Sequence, residues 1–121
     1  MNTSRKGNSA EVYVARWLQD RGWLVASRRH IGGAADLLAI HPKPRVSVEA
    51  VAAGITLPFA TNVLLSPTWL IEVKDCKELW QQFRREDRQA MRDTPLPPGG
   101  ERFVVNKRGK DLIWIAESDW P

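Results

Sequence analysis

One cysteine, Cys76, and two histidines set apart at positions 30 and 41 are a thin supply of nitrogen and sulfur ligands. A lone cysteine excludes an internal disulfide, and no cysteine or histidine cluster stands at zinc-binding spacing. A reducing cytoplasm is the expected setting. No window reaches the length of a membrane span, and the polar, basic N-terminus lacks the apolar core of a signal peptide, so neither membrane insertion nor secretion is expected. Internal repeats and low-complexity tracts are absent too, which excludes solenoids and extended linkers.

What is present fits one compact domain. The 121 residues are 43% hydrophobic with eight glycines and eight prolines, the balance of a soluble globular chain. Six tryptophans are spread along it and are expected to anchor packing rather than form one ligand box. The net charge of +4 is unevenly placed: residues 1 to 35 hold six Lys/Arg against two acids, and residues 36 to 121 hold twelve against twelve. A basic patch near the N-terminus suits a phosphate backbone, whose neutralisation releases counterions, although a solvated surface has the same composition.

Periodicity predicts the elements. "NSAEVYVARWLQDRG" reads as a helix capped at Asn8 or Ser9 and stopped at Gly22, with Val14, Ala15 and Leu18 on one face and Glu11 projecting from that stripe. "WLVASRR" is a short strand, "HIGG" a turn, and "ADLLAI" a second strand buried on both faces and ended by the prolines at 42 and 44. Residues 43 to 68 are weakly patterned and mostly apolar, either a short helix ending at Gly54 or an added hairpin. "WLIEVKD" is a strand with Ile71 and Val73 on one side and Leu70, Glu72 and Lys74 on the other. Glu78 to about Arg92 is a helix with Leu79, Phe83 and Ala90 inward, broken by "TPLPPGG". "RFVVN" and "LIWIAE" are strands joined by the "KRGK" turn, with Gly109 supplying positive φ. Helix, three strands, helix, two strands make an α/β chain with a central mixed β-sheet flanked by helices.

Taken singly, the acids have ordinary explanations: Glu72 and Lys74 as an exposed strand pair, Glu11 as a helix acid, Asp36 as a strand-entry turn residue. Taken together, an acid heading one core strand and a Glu-x-Lys on the next place two carboxylates and an ammonium at neighbouring strand ends. Two adjacent carboxylates repel unless a divalent cation binds between them, and oxygen ligands suit Mg²⁺. Lysine, while protonated, is no ligand but can hold an attacking water or stabilise charge on a phosphate.

"RKGNSAE", "GGAADLLAI" and "IEVK", in that order, resemble the PD-(D/E)xK nuclease superfamily and, within it, the archaeal-type Holliday junction resolvases. The resemblance covers most of the chain except residues 43 to 68, and the three stretches are more specific as a set than a lone ExK. It implies a restriction-endonuclease-like fold in a single nuclease domain, 1–121, with an insertion at about 43–68 that either packs as extra sheet or subunit interface or protrudes to wedge into branched DNA. It further implies a Mg²⁺-dependent (or Mn²⁺-dependent), structure-selective DNA endonuclease, resolvase-like, acting as a homodimer because a four-way junction needs two symmetric nicks. Asp36 and Glu72 would be the metal-binding acids, with the Val73 carbonyl and Glu11 assisting, and Lys74 would orient or activate the water. Arg5 and Lys6 would grip phosphate, Arg28, Arg29 and His30 would touch DNA, and Gly32 and Gly33 would let its backbone approach. Gln82 lies where several families place a functional glutamine, nearer the helix's inner stripe than Gln81. The chain departs from the pattern at Ala35, where the superfamily's name has proline, and at Ile31, where the resolvases carry a loop serine; Asp36 and Glu72 are also 36 residues apart. The alternatives are a flap, splayed-arm or single-strand nuclease of the same superfamily, and a DNA-binding module that keeps the fold without catalysis.

Overall fold

The computed structural model describes residues 3–27, 35–42 and 67–121, with side chains in the first segment from Ser9 onward. The expectations for Arg28, Arg29, His30, Gly32 and Gly33, and for residues 43–66 of the insertion, lie outside the described residues. Among the described residues no helix is long and apolar enough to cross a membrane.

Helix α1 runs Thr3–Gln19 and therefore starts before Asn8 and Ser9, the expected caps. Those two residues lose only a few tenths of a kcal/mol inside a helix, roughly 0.7 at most, so the helix-competent residues before them extend it. Its inner stripe is Ala10, Val14 and Leu18, all at most 2% exposed. The predicted stop holds: Gly22 has φ 92°, Gly22 N–H donates to Gln19 O at 3.0 Å and Trp23 N–H to Leu18 O at 3.1 Å. This paired closure is a Schellman motif, and Trp23 and Leu18 pack together beneath it.

Five strands follow: β1 (Leu24–Ser27), β2 (Leu37–Ile40), β3 (Thr68–Lys74), β4 (Gly100–Arg108) and β5 (Asp111–Ala116). They form one sheet in sequence order, antiparallel at each junction except β3–β4, which is parallel. The chain is thus α/β with a mixed sheet, as its element order predicts. β3 begins at Thr68, so the expected insertion ends a residue or two earlier than its sequence boundary. Gly109, at φ 64°, opens the two-residue turn between Arg108 and Asp111, as a type II′ hairpin requires. β2 is less buried than its apolar run suggests: Leu37 and Ala39 are enclosed on one face, whereas Leu38 is half-buried and Ile40 is 37% exposed on the strand's last turnout.

The single helix expected over 78–92 is two: α2 (Leu79–Gln82) and α3 (Arg85–Asp93). At the break Phe83 turns fully inward against Trp120, with ring centroids 4.9 Å apart at 89°. Arg84 is extended, and its N–H donates to the Asp87 carboxylate at 3.2 Å. The carbonyl released at Phe83 accepts from Arg88 Nη1 at 2.6 Å. A side-chain acceptor three residues ahead offers the backbone an alternative to the helical ladder, and the change of direction buries Met91 where Ala90 was expected, leaving Ala90 exposed.

The sheet separates two cores. Under α1 lie Leu37, Ala39, Ile71, Val73 and Val105 with Trp17, Trp23, Trp69 and Trp114; on the opposite face lie Ala35, Leu70, Phe83, Met91, Val104 and Trp120. Five of the six tryptophans therefore serve packing, whereas Trp80 is 37% exposed, and four gather into one network, with Trp69 centred 4.3 Å from Trp23 and 5.6 Å from Trp114.

Candidate active site

Strand β3 alternates as its sequence predicts. Ile71 and Val73 face the α1 core, Leu70 faces the second core, and Glu72 and Lys74 follow Leu70 on that second face. In parallel register Glu72 pairs with Val104 and Lys74 with Asn106, so these residues share the face too.

Asp36 sits one residue before β2, where that strand's ladder runs out. Its N–H donates to Ile71 O at 3.0 Å. One turn of pairing further, where β2 has no carbonyl to offer, Val73 N–H donates to Asp36 Oδ2 at 2.8 Å. A carboxylate thus replaces a strand as acceptor, which accounts for a charge at the mouth of an apolar run. Ala35 beside it is buried in the second core at 1% exposure.

The Asp36 carboxylate also meets Glu72, which is only 9% exposed. Burial, first, and then the hydrogen bond to Asp36 and its negative charge push the Glu72 carboxyl from 4.5 up to about 9; Lys74 opposes the rise, and Asp87 adds to it. Lys74 Nζ stands 3.7 Å from Glu72 Oε2, with the two side chains 25% and 11% exposed. The ammonium offsets only part of the cost of burying charge, so at neutral pH the Glu72 carboxyl keeps its proton.

This donor set fits a divalent cation. Two hard oxygen ligands already converge, and a cation could take the place of the Glu72 proton. Among the described residues no three of His, Cys, Asp and Glu gather into a metal-holding group. Glu11 is half-buried on α1, beside the stripe that packs against the opposite face of the sheet.

Arg5 and Lys6 lie in the first two turns of α1. Gln82 ends α2 and is exposed, because the break gives the inward position to Phe83. Two residues near the site were not anticipated. Asp87 is drawn toward it by the break between α2 and α3, a feature without a periodic signal. Asn106, 6% exposed, is placed beside Lys74 by the parallel register, which local sequence does not encode.

No family model matches the chain, and no solved structure matches it. Among curated proteins it is similar to one named "uncharacterized HTH-type transcriptional regulator y4wC" of Sinorhizobium fredii, 27% identical over 113 residues that cover 92% of this chain and 76% of that protein.

Proposed function

We propose that the chain is a Mg²⁺-dependent DNA endonuclease with a restriction-endonuclease-like fold. The observation that carries this reading is the buried Asp36–Glu72 carboxylate pair with Lys74 Nζ at 3.7 Å from Glu72. The five-stranded mixed sheet with helices is compatible with the restriction-endonuclease-like fold that the resemblance to PD-(D/E)xK nucleases implies. DNA as partner draws further support from the similar protein, which is named a transcriptional regulator.

Asp36 and Glu72 would hold the cation, Mg²⁺ or in its place Mn²⁺, with the Val73 carbonyl alongside. A cation there supplies electrophilic polarisation of the phosphodiester and makes the attacking water more acidic. Lys74 holds that water or neutralises charge growing on the phosphate, within reach of Glu72. Arg5, Lys6, Arg28, Arg29 and His30 contribute phosphate contacts, and Gly32 and Gly33 a close backbone approach. Branched DNA is the proposed substrate, cut symmetrically by a homodimer in the cytoplasm.

The second reading, a DNA-binding module without catalysis, draws on the same relative's name. Incubation of the purified protein with labelled four-way junction, flap, linear duplex and single strand, with Mg²⁺ or EDTA, separates the two. Mg²⁺-dependent nicking of the junction is expected. Binding without cleavage of any substrate supports the second reading, and equal cutting of linear duplex removes the preference for branches while leaving the nuclease.

A further inference from the structure

Beyond Lys74 the chain leaves β3, and α2 begins at Leu79. In between, Cys76 lies two residues past the last ladder pair, Lys74 with Asn106. The Asn106 side chain reaches it there: Cys76 N–H donates to Asn106 Oδ1 at 3.1 Å, and Asn106 Nδ2 donates to Cys76 O at 2.9 Å. One buried amide therefore grips both polar groups of one residue, as a neighbouring strand would. Asn106 is also the register partner of Lys74 and shares its face.

We propose that Asn106 is a positioning residue for Lys74. The β3–β4 ladder holds the lysine from before, and the Asn106 clamp holds the chain two residues after it, so the backbone carrying the ammonium is fixed on both sides at its distance from Glu72. The side chain meets this need because it both donates and accepts. Aspartate in its place has the same shape but only accepts, so it repels the Cys76 carbonyl; leucine offers neither group. This role rests on the proposed nuclease reading, whereas the clamp itself can be tested without it.

Cys76 is the chain's one cysteine and is partly accessible, and its thiol donates to the same Asn106 Oδ1 at 4.0 Å, so its alkylation reads this clamp when the substitution adds no charge beside the sulfur. In protein free of DNA and metal, Asn106→Leu is expected to speed alkylation of Cys76 by iodoacetamide by about tenfold or more, because local opening exposes the thiol and no charge is placed beside it. In the cleavage assay with Mg²⁺, run well below the melting temperature of each protein, the same substitution is expected to lower kcat by about 10- to 100-fold, the effect of a small misplacement of a reacting group. KM for the DNA should stay within about two-fold, since no phosphate contact is removed. In the wild type, the Cys76 amide should exchange with solvent as slowly as the amides inside β3, a measurement that stands even if the variant does not fold. Fast exchange at Cys76, or alkylation at the wild-type rate in a folded Asn106→Leu, overturns the clamp. Wild-type kcat in that variant overturns the positioning role alone. A wild-type protein that cuts no DNA overturns the nuclease reading and the role together.

Discussion

The two faces of the sheet are built on opposite terms. Beneath α1 the buried side chains among the described residues are apolar: Val14, Leu18, Ala39, Ile71 and Val105 are fully buried, and the tryptophan network packs against them. The other face has its own apolar floor in Phe83, Met91 and Val104, but continues along β3 into Glu72, Lys74 and the neighbouring Asn106. Removing apolar area from water stabilises the first face with no opposing charge, whereas burying Glu72 next to Asp36 costs stability that the nearby ammonium only partly offsets. The lesson is one of division: the α1 face makes the fold stable enough for the opposite face to hold an unfavourable charge arrangement in place.

The largest effect expected from breaking this contrast is on activity. Asp36→Ala or Glu72→Ala should lower Mg²⁺-dependent DNA cleavage by on the order of 10³-fold while the protein stays folded, read by initial rates and circular dichroism. Undiminished cutting would remove the site from this face. On the α1 face the loss should be in stability alone: Leu18→Ala opens a cavity under the sheet and should cost about 3 kcal/mol in urea unfolding, with the cleavage rate per folded molecule retained.

The pH response sharpens the comparison further. Glu72 keeps its proton in the folded protein up to about pH 9, but when unfolded it loses it near 4.5, so the folded state binds an additional proton across that window. Metal-free stability should accordingly be highest below about pH 4.5 as far as this group is concerned, and should decline as pH rises toward 9. Glu72→Gln cannot lose a proton; it should flatten the decline and leave the metal-free protein more stable than wild type at pH 8, by about 1–3 kcal/mol in thermal or urea melts. An unchanged slope would mean that Glu72 is ionised in the folded protein. The smallest expected effect lies at the end of α1, where Gly22→Ala forces a side chain into the left-handed region at φ 92° and should cost about 1 kcal/mol.

Much of this division was legible residue by residue. The spacing of Val14 and Leu18 marks an inner stripe, and Gly22 marks its end, because both follow from the geometry of one helix. The alternation of Ile71 and Val73 against Leu70, Glu72 and Lys74 likewise follows from the two-residue period of a strand. The pairing of Asp36 with Glu72 could be suspected from two strand ends carrying acids, though not that Asp36 would accept a hydrogen bond from Val73. The helix break was not legible. Leu79, Phe83 and Ala90 keep helical spacing, and the competing interactions, Asp87 on the Arg84 N–H and Phe83 on Trp120, depend on residues whose meeting the period does not announce. Asn106 was hidden for a related reason, since "RFVVN" looks like the polar end of an ordinary strand until β4 is laid parallel to β3.

By itself, the sequence determined the order of helical and strand segments among the described residues, the faces that β3 and α1 present, and the residue types available for chemistry, because backbone periodicity and turn conformations are local properties. The tertiary structure alone decided which of those residues meet. It seated Asp36 on the backbone of β3, pushed the Glu72 carboxyl far above its usual range, and closed Asn106 on Cys76. Desolvation and hydrogen bonding between groups 30 or more residues apart depend on the solvent excluded and the partners brought near, and both exist only once the sheet is assembled.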